Sequence, residues 1–253
     1  MIRLICTLSA AVVLATLAPE PGAARVVGET PEFEDGSKRP VSIALLPPQA
    51  SVATQRLVTA EAQVDESLEF AIIYTAQIAA LLEEQGYLVE IIDADRVNAD
   101  PRLQEYVVDA NRRYDELLQQ VRPRRIKKRL YNAGDEARAL ANHLNVDALG
   151  FPRLTVVGAT GGKIAMSVLL GGSMGGSFGT LSLVDGHSGD LEAHLVGPGG
   201  NSARKFDEDP DGMIGRITDN LVKGLPNADP SARVEPETDD EDVLAEIESL
   251  LNE

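Results

Sequence analysis

One short segment toward the C-terminal end has the residue types and spacing of a calcium loop. The segment DEDPDGMIGRIT, residues 207–218, matches such a loop at its first, third, fifth and sixth positions, which are Asp207, Asp209, Asp211 and Gly212. The twelfth position is Thr218, so the bidentate glutamate that completes the oxygen shell is absent. A weak extracellular-type calcium site at the three aspartates is one hypothesis. The alternative is that an aspartate and Pro210 only begin a helix.

The sequence contains no local motif that is typical of a catalytic site. The sequence has three histidines, and none stands in an HExxH pattern or beside a serine elbow. The segment DGHSGD, residues 185–190, is typical of a hairpin turn and accounts for His187 without a metal. We therefore predict no catalytic residue and no cofactor-binding residue. A hydrolase whose catalytic residues are dispersed along the chain stays open as an alternative.

Positive charge is concentrated in the basic run, RPRRIKKR, residues 122–129. Six of its eight positions are basic, and the predicted partner-binding residues among them are Arg124, Arg125, Lys127 and Lys128. Such a cluster could contact anionic lipid head groups, an acidic partner or the chain's own acidic tail. A solvated helix end is the structural alternative.

Negative charge is concentrated in the C-terminal tail, residues 226–253, which has Arg233 as its one basic residue. The tail opens as a proline-containing linker and closes on DDEDVLAEIESLLNE, whose apolar positions fall on one helical face. That face, a second predicted partner-binding surface, consists of Val243, Ile247, Leu250 and Leu251. Packing on the chain's own domain is the alternative.

The formal net charge of the whole chain, −17, argues against nucleic acid as a partner.

The first 24 residues have the pattern of an export signal. Arg3 precedes an uncharged, mostly apolar run, and small residues follow, so we predict cleavage after Ala24 and a periplasmic or otherwise exported protein. Cys6 is the only cysteine, and Ile5 before it does not suit a lipobox, so we expect no lipid anchor on this start site. After cleavage the chain has no thiol and no disulfide.

The remaining sequence alternates between strand and helix patterns. We predict a linker over residues 25–40, an α/β domain over 41–225 and the acidic tail after it. Predicted strands are 42–48, 87–92, 146–157, 163–170, 178–185 and 191–196, and predicted helices are 65–85, 101–131, 135–144 and 211–225. The fold class is α/β: a mixed sheet with flanking helices and a late antiparallel meander, with a long helix inserted at about 99–131. In that helix a heptad-like seam indicates either internal packing or a dimer interface.

Three segments of this pattern resemble a group of bacterial envelope proteins. They are LLEEQGYLVEIID, then ARALANHLNVDALGFPRLTVVG, and finally GTLSLVDGHSGDLEAHL. The group includes the curli-secretion lipoproteins, the lipoprotein activators of penicillin-binding proteins and the amino-terminal domain of TolB. The resemblance covers about residues 40–225 and implies a periplasmic α/β domain that binds other envelope proteins and catalyses nothing.

The sequence thus predicts an exported, non-enzymatic protein that acts in envelope assembly or transport through protein–protein binding. The expected partners are envelope proteins, with peripheral membrane contact and self-association left open. The alternatives are a periplasmic hydrolase and a calcium-responsive binding module, for which calcium would be the cofactor.

Overall fold

The computed structural model describes residues 26–55, 60–62, 64–121, 125–126, 131–159, 176–200, 209–222 and 225–228. Within these ranges the strands are β1 (Val26–Glu29), β2 (Ser42–Leu45), β3 (Gln49–Gln55), β4 (Ala60–Ala62), β5 (Leu88–Ile91), β6 (Ala148–Ala159), β7 (Gly176–Asp185) and β8 (Leu191–Gly200). The helices are α1 (Pro31–Asp35), α2 (Val64–Glu84), α3 (Ala94–Ala99), α4 (Pro101–Leu118), α5 (Gly134–Leu144) and α6 (Pro210–Val222).

The strands form one mixed sheet. Its main order is β1-β8-β7-β6-β2-β5, with β3 paired to the far half of β6 and β4 paired to β3. Strand β2, next to the edge strand β5, runs parallel to both β5 and β6. Strands β6, β7, β8 and β1 are each antiparallel to their neighbour in that order. The predicted α/β class is therefore confirmed, including its late antiparallel meander.

Each face of the sheet is covered by its own helices. On one face, β7 directs Leu181 and Leu183 toward α2 and α6, in a core that includes Tyr74, Ile78, Ile214 and Ile217. On the other face, Val184 packs with α4 and α5, in a core that includes Leu103, Val107, Tyr114 and Leu140. This division follows from the two-residue period of a strand, which sends neighbouring side chains to opposite faces.

Helix α6 contacts the sheet closely because β8 has a glycine beneath it. A Cβ atom added to Gly197 would lie 2.3 Å from the Ile217 carbonyl oxygen and 2.7 Å from Leu221 Cγ. Only a residue without a side chain fits between strand and helix here.

The heptad-like seam of α4 is internal. Its residues lie in the core beside α5 and include Leu103, Val107, Ala110, Tyr114, Leu117 and Val121. The structure therefore supports internal packing of the seam over a dimer interface. The apolar positions recur at helical spacing because one side of α4 covers the sheet.

Two predicted segments differ most from the structure. The long helix, predicted to reach Tyr131, ends at Leu118, and the amides of Gln120 and Val121 then both bond to the Leu117 carbonyl oxygen. Pro123 follows closely, and a proline disfavours helical backbone at the residue before it. The predicted linker over 25–40 instead contains β1 and α1. Strand β1 pairs with β8, and Thr30 caps α1 with a hydrogen bond from the Phe33 amide.

Some predicted elements lie outside the described residues, namely the leader (1–24), the strand at 163–170 and most of the acidic tail. Over the ranges that are described, no helix is long and apolar enough to cross a membrane.

Candidate functional site

A serine and a histidine on neighbouring strands meet a tyrosine of α4 on the α4 side of the sheet. Ser182 on β7 lies with its Oγ 2.6 Å from His194 Nδ1, and Tyr114 Oη lies 2.6 Å from the same Oγ. The Tyr114 ring stacks on Phe151 at a centroid distance of 4.2 Å, and the Arg153 guanidinium lies 4.9 Å from its centroid. This is the arrangement in which the hydrolase alternative would have its nucleophile and base.

Burial prevents this group from acting on a substrate. Ser182 and Tyr114 are fully buried, and His194 is 5% exposed. Burial lowers the pKa of His194 to about 4, and the nearby Arg153 charge lowers it too. Burial also raises the pKa of Tyr114 to about 12. The three side chains are thus neutral at pH 7, and they satisfy one another's hydrogen bonds inside the core.

The calcium-like segment forms a helix start. Asp209 Oδ1 accepts the Gly212 amide at 3.0 Å, and Pro210 is the first residue of α6. The chain is helical from Pro210 onward, and the buried Thr218 bonds to the Ile214 and Gly215 carbonyls. Asp211 lies in the first turn of α6, and Asp207 is outside the described residues. The described part of the segment therefore caps a helix, and calcium binding at the three aspartates stays a prediction.

The predicted partner-binding residues are only partly described. Arg125 is exposed, and its neighbour Ile126 is buried in the core between the sheet and α4. Outside the described residues are Arg124, Lys127, Lys128, Val243, Ile247, Leu250 and Leu251.

A cavity of about 480 Å³ lies between α1, the segment 38–41 and the turn of the β7–β8 hairpin. Most of its polar groups hold these segments together. Asp147 Oδ2 accepts the Val41 and Ser42 amides, each at 2.9 Å. Burial alone would raise the pKa of Asp147, but these bonds and the one from the Ser42 hydroxyl lower it overall.

The hairpin side of this cavity is likewise internally bonded. Asp185 Oδ1 accepts the amides of His187 and Ser188, which closes the DGHSGD turn as predicted from the sequence. Glu192 bonds to the Thr30 hydroxyl, and burial raises the pKa of its carboxyl group. Within the described part of the chain, no cluster of three or more His, Cys, Asp or Glu side chains could hold a metal ion.

The outer side of α2 has an apolar surface that we call the α2 stripe: Leu68, Ile72, Ala76 and Ala80. These residues follow one another at intervals of four, so they lie along one side of the helix, and all four are exposed. Leu68 is 65% exposed and Ile72 is 62% exposed. Of the five large apolar side chains exposed in the described residues, four lie on α2 or on the adjacent edge strand β5.

Acidic residues lie near both ends of the α2 stripe. Glu69, Glu83 and Glu84 on the same helix are exposed, and the sequence has no Lys or Arg from Val64 to Asp95. Sequence reasoning identified α2 as an apolar helix but missed this surface. The signal was present, because apolar residues occupy more of the helix than the side that faces the sheet can bury.

Comparison with known proteins assigns no family. No protein-family model matches the chain, and no curated protein matches it. Among solved structures, the chain is similar to the PelC dodecamer from Paraburkholderia phytofirmans at 13% identity and a TM-score of 0.36, covering 78% of this chain and 96% of that chain. A lipoprotein from Neisseria meningitidis is similar at 20% identity and a TM-score of 0.28, with 62% and 78% covered.

A third similar structure is a putative neuraminyllactose-binding hemagglutinin homolog from Helicobacter pylori, at 10% identity and a TM-score of 0.36, covering 78% of this chain and 89% of that chain. At these TM-scores we transfer no property of the three proteins to this one. The fold and surfaces define a mixed α/β protein with an apolar core on each face of the sheet, one buried polar group and an exposed apolar helix face. Membership of the envelope group that the sequence resembles stays a prediction.

Proposed function

We propose that this protein is exported to the cell envelope and acts there, without catalysis, in assembly or transport by binding other protein chains through the α2 stripe. The observation that carries the proposal is the exposure of Leu68 and Ile72 on a helix whose uncharged run spans residues 70–82. Exposed apolar surfaces that are rimmed by polar residues are typical of protein–protein contact sites. The leader at residues 1–24 supports the location.

The hydrolase alternative has less support. The Ser182–His194 pair is enclosed, so a substrate would have to enter the core to reach it. The alternative of a calcium-responsive binding module also has less support, since Asp209 already accepts a hydrogen bond from the Gly212 amide of α6. Neither alternative explains why α2 leaves apolar side chains exposed.

Site-specific photocrosslinking in intact cells tests the proposal. A photoreactive residue replaces Leu68 on the α2 stripe, and a matched variant carries it at Val108, which is 58% exposed on α4. We expect a defined crosslinked protein product from position 68, absent from position 108 and lost when Ile72→Glu is added. If position 68 gives the same products as position 108, the α2 stripe is not a binding surface and the proposal is wrong.

A further inference from the structure

We propose that the edge strand β5 pairs with β5 of a second copy of this chain, in an antiparallel, twofold-symmetric arrangement centred on Glu90. The inference goes beyond the proposed function, because it concerns the open edge of the sheet and not the α2 stripe. A thiol placed on β5 tests it, whereas the photocrosslink at Leu68 tests the proposed function.

Strand β5 is an edge that lacks the usual protection. It ends the strand order of the sheet, and β2 is its one neighbour among the strands that the structure describes. Leu88 is 53% exposed and Ile91 is 41% exposed. Proteins commonly protect an edge with Lys, Pro or a β-bulge. The strand has the sequence LVEI, without Lys or Pro, and its register with β2 is regular.

The backbone groups that face out from this edge belong to Val89 and Ile91. The Leu88 amide bonds to the Val41 carbonyl, and the Ile92 amide bonds to the Leu45 carbonyl. Residues 88 and 92 therefore direct their backbone groups toward β2. Because these groups alternate along a strand, those of residues 89 and 91 point away from β2. Two N–H and two C=O groups thus face the open side of β5.

An antiparallel copy centred on Glu90 uses all four of these groups. Val89 then lies opposite Ile91 of the second copy, and Ile91 lies opposite its Val89. In each of these two pairs both residues exchange N–H···O bonds, so the contact has two bonds per pair. The arrangement is isologous, because the same strand contributes from both copies.

Other twofold registers of the same strand use fewer of the groups. Centring on Val89 places Ile91 opposite Tyr87, whose amide already bonds to the end of α2. Centring on Ile91 places Val89 opposite Asp93, whose carbonyl already accepts an amide of α3. Buried backbone groups need partners, so the register centred on Glu90 is favoured.

The side chains suit this register on the α2 face of the sheet. Val89 packs against the core beside α2, and Ile91, two residues on, lies on the same face. Each half-exposed Ile91 would be covered by Val89 of the second copy. Directly opposite apolar residues on neighbouring strands stabilise the pairing of those strands.

The charges on the other face are compatible with the pairing. The two copies of Glu90 lie opposite each other, and like charges there oppose pairing. Each Glu90, however, forms an ion pair with Arg96 of α3 in its own chain. Two cations therefore accompany the two carboxylates at the twofold axis, so the contact carries no net charge from these residues.

The register predicts one specific distance between the copies. Glu90 and its copy form a non-hydrogen-bonded pair, whose Cα atoms lie about 4.5 Å apart. This separation is within the range of a disulfide. Leu88 is offset from its copy by four residues along the strand, which is roughly 13 Å. Cysteines at position 90 should therefore bond across the axis, and cysteines at position 88 should not.

Disulfide trapping of the protein expressed from its full sequence tests the inference. Each variant also carries Cys6→Ser, so that the introduced thiol is the only one in the chain. In a glutathione redox buffer we expect Glu90→Cys to form a linked dimer roughly tenfold or more faster than Leu88→Cys. Leu88 is the matched control, because it lies on the same strand and face and is exposed.

A second pair of variants, each combined with Glu90→Cys, tests the backbone pairing. Ile91→Pro removes an outward N–H and leaves the bonds to β2 in place, so it should abolish trapping. Ile91→Thr keeps the N–H and suits a strand, so its trapping should stay close to that of Glu90→Cys alone. Circular dichroism and thermal melting establish folding. If Ile91→Pro does not fold, Ile91→Lys replaces it, because it places a charge against Val89 of the second copy.

Equal trapping at positions 88 and 90 would overturn the inference, as would equal trapping of the Ile91→Pro and Ile91→Thr variants. Association in sedimentation velocity without trapping at position 90 would also overturn it, because the copies would then meet through another surface. A photocrosslink from Leu68 to a different protein, with no trapping at position 90, would leave the proposed function intact while this inference fails. Trapping at position 90 without that photocrosslink would support this inference while the proposed function fails.

Discussion

Ser182 and His194, twelve residues apart on neighbouring strands, form a hydrogen bond of 2.6 Å between Oγ and Nδ1 inside the protein. The same serine oxygen also bonds to the Tyr114 hydroxyl, so it joins β7, β8 and α4. A serine–histidine pair in an enzyme needs access to substrate, and this pair has none. Its contribution is to the stability of the fold.

The first prediction concerns that serine. Ser182→Ala removes the shared partner of two buried polar groups, and leaving them unsatisfied should lower the free energy of unfolding by about 1–3 kcal/mol. Urea denaturation measures the change. Ser177→Ala is the matched control on β7, because Ser177 is buried and its Oγ has no hydrogen-bond partner among the described residues. We expect the control to lose no stability, because alanine removes a buried hydroxyl that has no partner to lose. Equal losses in the two variants would contradict a special contribution of Ser182.

The second prediction is a loss of stability in acid that depends on His194. Its pKa is about 4 in the folded protein, below the 6.5 expected when it is exposed. Between these values the unfolded chain binds a proton that the folded chain does not, so stability falls as the pH drops from 6.5 toward 4. The contribution is on the order of 3 kcal/mol at the acid end of that range. Unfolding measured at pH 7 and pH 4.5 should show a smaller acid loss in His194→Gln than in the unaltered protein. An identical loss would mean that other groups cause it.

The third prediction tests the close contact between α6 and the sheet. Gly197→Ala places a Cβ atom 2.3 Å from the Ile217 carbonyl oxygen, so α6 must move, and we expect a loss of about 1–3 kcal/mol. Gly215→Ala, within α6, is the control, since its Cβ would meet only Gln77 Oε1 at 3.8 Å. Alanine favours a helix over glycine by roughly 0.5–1 kcal/mol, so this control should raise the melting temperature. If Gly197→Ala instead stabilised the protein, α6 would lie farther from β8 than the structure shows.

The fourth prediction separates helix capping from calcium binding at Asp209. Asp209→Ala removes the acceptor of the Gly212 amide and should lower stability by about 1 kcal/mol, with or without calcium. Asp211→Ala, in the first turn of α6, should have a smaller effect. Thermal melting in calcium and in a chelator measures both variants. If calcium raises the melting temperature of the unaltered protein and Asp209→Ala abolishes the rise, the calcium hypothesis is correct.

The sequence by itself determined the class of fold, because the period of apolar residues is set locally by backbone geometry. The predicted helix 65–85 and strand 87–92 match α2 and β5 within one residue at each end, and Gly86 between them has the positive φ that ends a helix. The DGHSGD turn and the capping alternative at Asp209 were also available from local spacing.

Only the tertiary structure decided which of these residues meet. The Tyr114–Ser182–His194 group joins three elements. Tyr114 and Ser182 are 68 residues apart, and local residue spacing cannot predict a contact over that separation. The heptad-like spacing of apolar residues in α4 is the same for a helix that packs inside its own fold and for one that packs against another chain. The structure shows that it packs inside. The α2 stripe likewise became a surface only when the sheet and α6 had covered the rest of that helix. Periodicity identifies the apolar side of a helix or strand. Whether that side is buried depends on the elements that pack against it, and those elements come from distant parts of the chain.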